Sequence, residues 1–238
     1  MLLYYIRHGD PVYEPDSLTA LGHRQAEAVA KRLALHGMDK IYCSSSNRAV
    51  LTAQPLCELL RKEPTKLDWC REDHAFRYLH VTGADGKKTW GLMEPEIKRL
   101  FISKELADMG HKWTEHPALK DTNFREGVEV FGREVDNFLA AHGYERHDSL
   151  NCYKAVRPSE ERIALFAHWG AGGLIMSHIL DIPYPQFASR FTMGHTCVTV
   201  VEFRDVDGLV IPKVISYSND SHFYREGLPT KFVNRIYI

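Results

Sequence analysis

The 238-residue sequence predicts an α/β fold with a mostly parallel sheet that is flanked by helices on both faces. Short apolar runs alternate along the chain with stretches of helical periodicity, as in proteins built from β-α-β units. The first run, residues 2–6, is unbroken and is typical of a strand that is buried on both faces. Apolar residues make up 44% of the chain and charged residues 26%, which excludes a disordered, fibrous or membrane-spanning protein.

Strands and helices alternate through the first 70 residues. The predicted order is a strand at 2–6, a helix at 19–36, a strand at 40–43, a helix after residue 45 and a strand at 66–70. Thr19 is suited to cap the first helix, and Gly37 is suited to end it. Ser45 or Ser46 would cap the second helix, which Pro55 should kink. This alternation predicts that the strands run parallel in one sheet.

Residues 78–148 differ from the rest of the chain because they are polar and mostly helical in pattern. The clearest helix of this segment is predicted at 126–141, where apolar residues share one face. The earlier pattern then resumes with a strand at 162–167, a glycine-rich helix at 171–180 and strands at 196–203 and 209–217. We therefore predict a single domain over residues 1–238, in which residues 78–148 form a helical cap insertion.

Charge and cysteine content restrict the partners and the location of the protein. Thirty basic residues oppose thirty-one acidic ones, so no overall field attracts nucleic acid or a membrane surface. The five cysteines are odd in number and scattered, which indicates a reducing compartment rather than a disulfide framework. The N-terminal apolar run is too short for a signal peptide or a spanning helix. We expect a cytoplasmic protein without nucleic-acid or membrane partners, and nothing in the sequence indicates an oligomeric state.

Residues suited to phosphate chemistry follow three of the predicted strands. Arg7 and His8 end the first strand, Arg48 follows the second at a helix start, and His168 ends the strand at 162–167. Because ligands bind at the carboxyl ends of parallel strands, we expect these side chains to converge at one edge of the sheet. Arginine forks and helix N-termini bind phosphoryl oxygens, and a neutral imidazole can attack phosphorus. The pattern therefore predicts a phosphate site.

The same residues stand in ordered motifs. These are Leu3-x-x-Ile6-Arg7-His8-Gly9, Leu18-Thr19-x-x-Gly22-x-x-Gln25-Ala26 and Tyr42-x-Ser44-Ser45-x-x-Arg48-Ala49-x-x-Thr52-Ala53. With His168, they resemble the histidine phosphatase superfamily, which includes the cofactor-dependent phosphoglycerate mutases. The resemblance implies a phosphoglycerate mutase-like fold. It also implies a metal-independent phosphomonoesterase that needs no cofactor and acts on a small phosphorylated metabolite through a phosphohistidine.

The resemblance also implies roles for individual residues. His8 would attack the phosphorus, while Arg7, Arg48 and His168 would hold the phosphoryl oxygens and stabilise the developing charge. The leaving oxygen needs a proton, which family members usually receive from a Glu shortly after the third strand. Glu72 fits that position.

Three assignments around this site have alternatives. Asp73 is a second candidate for the acid, and Glu72 could instead be a surface carboxylate paired with Arg71. Trp169, where the family often has Gly, is either a wall of the substrate pocket or a core residue. His195 stands where many relatives have Asn, and it either lines the site or caps a strand.

Two other functions stay open at the level of the sequence. One is a phosphoglycerate mutase, although Glu14 replaces the mutases' Asn and an acidic residue fits poorly with a doubly phosphorylated effector. The other is a non-catalytic protein that binds a phosphorylated ligand in the same cradle. Metal catalysis is not expected, because the thirteen histidines form no H-E-x-x-H motif. Thiol phosphatase chemistry is disfavoured as well, because Cys43 and Arg48 are one residue too close.

Overall fold

The computed structural model describes residues 1–230, so the last eight residues of the predicted 1–238 domain lie outside the described part. The strands are β1 (Leu2–Arg7), β2 (Pro11–Val12), β3 (Ser17–Leu18), β4 (Lys40–Ser44), β5 (Thr65–Leu67), β6 (His80–Thr82), β7 (Lys88–Trp90), β8 (Tyr144–Arg146), β9 (Tyr153–Ala155), β10 (Arg162–Ala167), β11 (Val198–Glu202), β12 (Asp205–Val206), β13 (Leu209–Val210) and β14 (Lys213–Asn219). The α-helices are α1 (Ala20–Ala34), α2 (Asn47–Leu60), α3 (Glu72–Leu79), α4 (Pro95–Phe101), α5 (Lys104–Asp108), α6 (Phe124–Ala141), α7 (Trp169–Ile179), α8 (Tyr184–Ala188) and α9 (Ser221–Glu226). Short 3₁₀ helices lie at Gly91–Met93, Gly110–Glu115 and Pro117–Leu119.

The main sheet has six strands in the order β14-β11-β1-β10-β4-β5. Strands β1, β10, β4 and β5 are parallel to their neighbours in this row, whereas β11 and β14 add an antiparallel edge beside β1. The prediction of a mostly parallel sheet flanked by helices is therefore confirmed. The pairing of Arg7 with Ala167 sets the ends of β1 and β10 side by side, so that His8 and His168 become neighbours.

Two apolar layers cover the sheet. Ile6 and Phe166 face a cluster with Val29 and Leu33 of α1 and with residues of α2. On the opposite face, Leu3, Tyr5 and Leu165 belong to a larger cluster to which α6 and α7 contribute. The alternation along β1 follows from the two-residue period of a strand, and it explains why residues 2–6 are apolar throughout.

Two elements of the structure differ in their bounds from the prediction. The strand predicted at 209–217 is two strands, β13 and β14, which pair in different sheets. Pro212 lies between them and cannot donate a main-chain hydrogen bond to a ladder. The helix predicted at 171–180 begins two residues earlier, at Trp169, so that His168 is its N-cap residue.

Residues 78–148 contain the β6–β7 hairpin, α4, α5, the 3₁₀ helices and α6. Helix α6 packs against α3 and α7 and contributes Phe131, Val135 and Leu139 to the larger core cluster. The division into one domain with a cap at 78–148 stays a prediction.

No helix within residues 1–230 has the length and apolar composition needed to cross a membrane.

Candidate active site

His8 lies where β1 ends, and its orientation is set by main-chain contacts. Its own N–H donates to the carbonyl of Ala167 at 2.9 Å, and its Nδ1 lies 2.7 Å from the carbonyl oxygen of Gly9. A carbonyl oxygen only accepts, so Nδ1 carries the proton and Nε2 keeps its lone pair. The residue is 2% exposed. Burial, reinforced by His168 and Arg7, holds the pKa of His8 well below its usual range, and the imidazole is therefore neutral at pH 7.

The motif residues around His8 hold its loop in place. A Cβ on Gly9 would lie 2.7 Å from the carbonyl oxygen of Gly22, so this close approach of the loop to α1 excludes a side chain. The main-chain N–H of Gly9 donates to Thr52 Oγ1 at 2.9 Å, and that of Asp10 donates to Gln25 Oε1 at 2.8 Å. The second and third sequence motifs thus fix the backbone that presents His8.

Arg7 and Arg48 are anchored in the same way. Nη1 of Arg7 donates to the carbonyl oxygen of Met193 at 2.6 Å, and Nη1 of Arg48 donates to Asp16 Oδ1 at 2.7 Å. The Nε atom of each arginine is buried and has no hydrogen-bond partner within residues 1–230. One end of each guanidinium is therefore held by the protein, while donors on its other edge are available to an anion.

His168 follows the same pattern at the start of α7. Its ring centroid lies 5.1 Å from that of His8, and its Nε2 lies 2.9 Å from Ser44 Oγ. The other ring nitrogen, Nδ1, is buried without a partner among the described residues. Burial, with Arg48 and Arg7 nearby, holds the pKa of His168 well below its usual range. His168 is thus a neutral imidazole with one nitrogen anchored and the other unsatisfied.

Glu72 reaches this site from the first turn of α3. Its two carboxylate oxygens accept hydrogen bonds from the N–H groups of Gly170 at 3.0 Å and Ala171 at 2.9 Å, at the N-terminus of α7. Burial raises the pKa of Glu72, while the two N–H groups and the arginines act in the opposite direction. The contact brings the carboxyl group to the helix that His168 begins.

Asp73 points elsewhere. Its oxygens accept from Arg71 Nε at 2.8 Å and from Arg71 Nη2 at 2.9 Å, and the pair is largely exposed. The surface pairing considered for Glu72 is therefore the environment of Asp73. The structure places Glu72, and not Asp73, beside the residues at the ends of β1 and β10.

His195 and Trp169 occupy different surroundings. The His195 ring lies 5.5 Å from that of His8, and its Nδ1 is 3.6 Å from Asp10 Oδ1, so His195 is part of the site edge. Trp169 is half-buried, and its ring lies 6.3 Å from that of Phe187 in the core. Trp169 therefore stands at the boundary between core and site.

Two neighbours of the site were not predicted from the sequence. Trp90 packs so closely on Gly170 that a Cβ there would lie 2.5 Å from the indole Cη2 and 2.9 Å from Glu72 Oε2. Asp16, in the turn between β2 and β3, anchors Arg48. Neither residue belongs to the motifs that indicated the site. The only feature of the sequence that indicates the Trp90 contact is Gly170, because a glycine allows another side chain to approach closely. Within residues 1–230, no group of three or more His, Cys, Asp or Glu side chains is arranged to hold a metal ion.

The chain is also similar in sequence and in fold to known proteins. Residues 3–91 match the model of the histidine phosphatase superfamily (branch 1). A provisionally named phosphoserine phosphatase of Hydrogenobacter thermophilus is 25% identical over 146 residues. This alignment covers 58% of the chain and 64% of the relative, so the chain spans less than two thirds of that protein.

Solved structures extend the likeness of fold to most of the chain. Phosphoserine phosphatase from Entamoeba histolytica, solved with 3-phosphoglyceric acid, superposes with a TM-score of 0.61 at 17% identity, over 93% of this chain and 98% of that one. A mycobacterial glucosyl-3-phosphoglycerate phosphatase, solved with inorganic phosphate, gives a TM-score of 0.59 at 18% identity, over 93% and 98%. The predicted phosphoglycerate mutase-like fold is confirmed. The predicted resemblance to the histidine phosphatase superfamily is supported by the match of the family model to residues 3–91.

Proposed function

We propose that the chain is a metal-independent phosphomonoesterase that transfers the phosphoryl group of a small phosphorylated metabolite first to His8 and then to water. One observation carries this proposal. Arg7 Nε, Arg48 Nε and His168 Nδ1 are all buried without hydrogen-bond partners in the described chain. All three residues lie near His8, because the charges of both arginines act on its pKa and the ring of His168 lies 5.1 Å from its ring. A tetrahedral dianion would satisfy all three at once.

Binding of the phosphoryl group would be driven by these unsatisfied donors. A buried polar group without a partner costs about 1–3 kcal/mol, so three such groups favour a ligand that accepts from each. The two guanidinium groups supply the positive charge, and their anchored Nη1 atoms limit their motion. The cradle thus selects a compact anion with several acceptor oxygens, as a phosphate monoester has.

In the first chemical step, the Nε2 lone pair of His8 forms a bond to phosphorus while the bond from phosphorus to the leaving oxygen breaks. The leaving oxygen takes a proton from the Glu72 carboxyl group, which becomes a carboxylate. Burial raises the pKa of Glu72, so its protonated form is reached more easily than in water, and the lowered pKa of His8 favours the neutral nucleophile. The arginines and His168 stabilise the charge on the equatorial oxygens.

In the second step, water attacks the phosphorus of phospho-His8. The Glu72 carboxylate accepts a proton from this water, the bond from phosphorus to Nε2 breaks, and inorganic phosphate leaves. His8 regains its neutral form with the proton still on Nδ1, where the Gly9 carbonyl holds it. Glu72 regains its proton, and the cycle closes without a net change in the protein.

The relatives support a small phosphorylated metabolite as the substrate class. The curated relative is named for phosphoserine, and the solved relatives for phosphoserine and for glucosyl-3-phosphoglycerate. A cytoplasmic location is part of the proposal, and it is supported by five cysteines that are all buried and free.

The test is hydrolysis of p-nitrophenyl phosphate in the presence of a chelator, by the wild type and by His8→Ala. We expect turnover in the wild type that the substitution removes, and acid-labile phosphate on the wild-type protein after a rapid quench. Equal turnover in both proteins would contradict the role of His8. No turnover in the wild type, followed by isomerisation of phosphoglycerate, would identify a mutase, whereas neither activity would leave a phosphate-binding protein.

A further inference from the structure

Asp16 makes three contacts with the start of α2. Its Oδ1 accepts from Arg48 Nη1 at 2.7 Å, and its Oδ2 accepts from the main-chain N–H of Asn47 at 2.8 Å. Its carbonyl oxygen accepts from Asn47 Nδ2 at 2.7 Å. One residue of the β2–β3 turn is therefore tied to both a helix end and a phosphate-site arginine.

The carboxylate is suited to this place because the helix start lacks a local cap. Ser46, the N-cap residue of α2, makes no capping hydrogen bond with its side chain. The first N–H groups of a helix need an acceptor, and a negative charge there is favoured by the helix dipole. Asp16 supplies both from another segment of the chain, so its position is fixed independently of any ligand.

Arg48 is held on further sides. Its guanidinium carbon lies 5.5 Å from the centre of the Tyr13 ring, in the same turn as Asp16, and its side chain is only 12% exposed. With Nη1 on Asp16 and one side against Tyr13, the buried Nε is left without a partner. We propose that Asp16 is a positioning residue, which holds one end of the Arg48 guanidinium so that the Nε edge faces the phosphoryl group.

This inference rests on the proposed phosphate site and goes beyond it, because Asp16 would touch neither substrate nor the reacting atoms. Its charge alone opposes anion binding, since a carboxylate near the site repels a phosphoryl group. Asp16 can favour binding only through Arg48. Removing Asp16 should therefore weaken binding only when Arg48 is present.

The experiment measures the affinity for tungstate, a tetrahedral dianion, by calorimetry in the full chain. Four proteins form a double-mutant cycle: wild type, Asp16→Ala, Arg48→Ala and the double variant. We expect Asp16→Ala to weaken binding about tenfold, as the loss of a charge-assisted hydrogen bond would. In the Arg48→Ala background, the same change should leave the affinity unchanged or raise it.

Glu14→Gln is the matched control, because it removes an exposed carboxylate from the same turn, and its affinity should not fall below that of the wild type. Thermal unfolding of each variant identifies a misfolded protein, and Asp16→Asn serves as a second variant that keeps the size of the side chain. The inference would be overturned if the losses in binding free energy of Asp16→Ala and Arg48→Ala simply add in the double variant. It would also be overturned if Asp16→Ala and Asp16→Asn both bind tungstate as tightly as the wild type. Because tungstate binding is measured without turnover, a failure of the proposed hydrolysis leaves this test interpretable.

Discussion

The carboxylate of Glu72 caps the helix that His168 begins. Both of its oxygens accept main-chain hydrogen bonds, from Gly170 at 3.0 Å and from Ala171 at 2.9 Å. Two opposing influences therefore act on one group, since burial favours the protonated acid and the helix N-terminus favours the carboxylate. A group balanced in this way can give up a proton in one step and take it back in the next.

The first prediction concerns the proton that Glu72 would deliver. Glu72→Gln cannot protonate the leaving oxygen, so we expect kcat to fall by about 10² to 10⁴ for an alkyl phosphate. The loss should be smaller when the phosphoenzyme is formed from p-nitrophenyl phosphate, whose leaving group needs less help from an acid. Phosphoenzyme formation after rapid mixing measures both rates. Asp73→Asn is the control, and a loss in that variant as large as in Glu72→Gln would transfer the role to Asp73.

The second prediction concerns the space above Gly170. A Cβ there would lie 2.5 Å from Trp90 Cη2 and 2.9 Å from Glu72 Oε2, so Gly170→Ala must displace one of them. We expect a cost of about 1–3 kcal/mol in the free energy of unfolding, together with a lower kcat. Urea unfolding and steady-state kinetics measure the two effects.

Two further variants test this explanation. Gly173→Ala, on the same helix, would meet Tyr184 at 3.2 Å and should cost less. Combining Gly170→Ala with Trp90→Phe shortens the ring and should restore part of the lost activity. If the double variant is no better than Gly170→Ala alone, the contact with Trp90 is not the cause.

The convergence of Arg7, His8, Arg48 and His168 could be predicted because parallel strands place their carboxyl ends at one edge. The proximity of β1 and β10 then follows from burial of two unbroken apolar runs. For the general acid, the sequence leaves two candidates, Glu72 and Asp73. Only Glu72 contacts the N-terminus of α7, and that contact depends on how α3 packs against α7. A sequence gives no direct measure of that distance.

Other features could not be predicted from local patterns. Asp16 reaches Arg48 across 32 positions, and the Trp90 contact depends on the β6–β7 hairpin. Pro212 does indicate that the strand predicted at 209–217 is divided, because proline cannot donate a main-chain hydrogen bond within a sheet. The prediction of one strand considered only the apolar residues. The missing information in each case is tertiary, because it concerns which surfaces meet.

The third prediction concerns acid stability. His222 is buried between Arg32 and Thr196, and burial with the nearby Arg32 charge lowers its pKa to about 4. Below about pH 6.5 the unfolded chain binds a proton that the folded chain excludes, so stability falls as the pH falls from about 6.5 to about 4. The shift corresponds to about 3 kcal/mol for this residue.

Urea unfolding at several pH values tests this expectation. His222→Gln should be less stable than the wild type at pH 7.5, because it disturbs a buried contact, but its stability should fall less steeply towards pH 4. His36→Gln changes a histidine in an exposed position and is the control for a general loss of histidine charge. Equal slopes in all three proteins would show that His222 does not contribute to the acid sensitivity.

The last prediction concerns the tautomer of His168. Ser44 Oγ accepts the N–H of Ser46 at 3.3 Å, and its own proton can go either to Ser46 Oγ at 3.3 Å or to His168 Nε2 at 2.9 Å. The shorter contact favours donation to His168 Nε2. A neutral His168 then carries its proton on Nδ1, the nitrogen that lacks a partner and would donate to a phosphoryl oxygen. Ser44→Ala removes this preference, and we expect kcat to fall about tenfold while the protein stays folded.

Long-range ¹H–¹⁵N spectra of the imidazole report the tautomer directly, and Ser46→Ala, which keeps the main-chain donor, should resemble the wild type. A His168 that keeps its proton on Nδ1 in Ser44→Ala would show that another contact sets the tautomer.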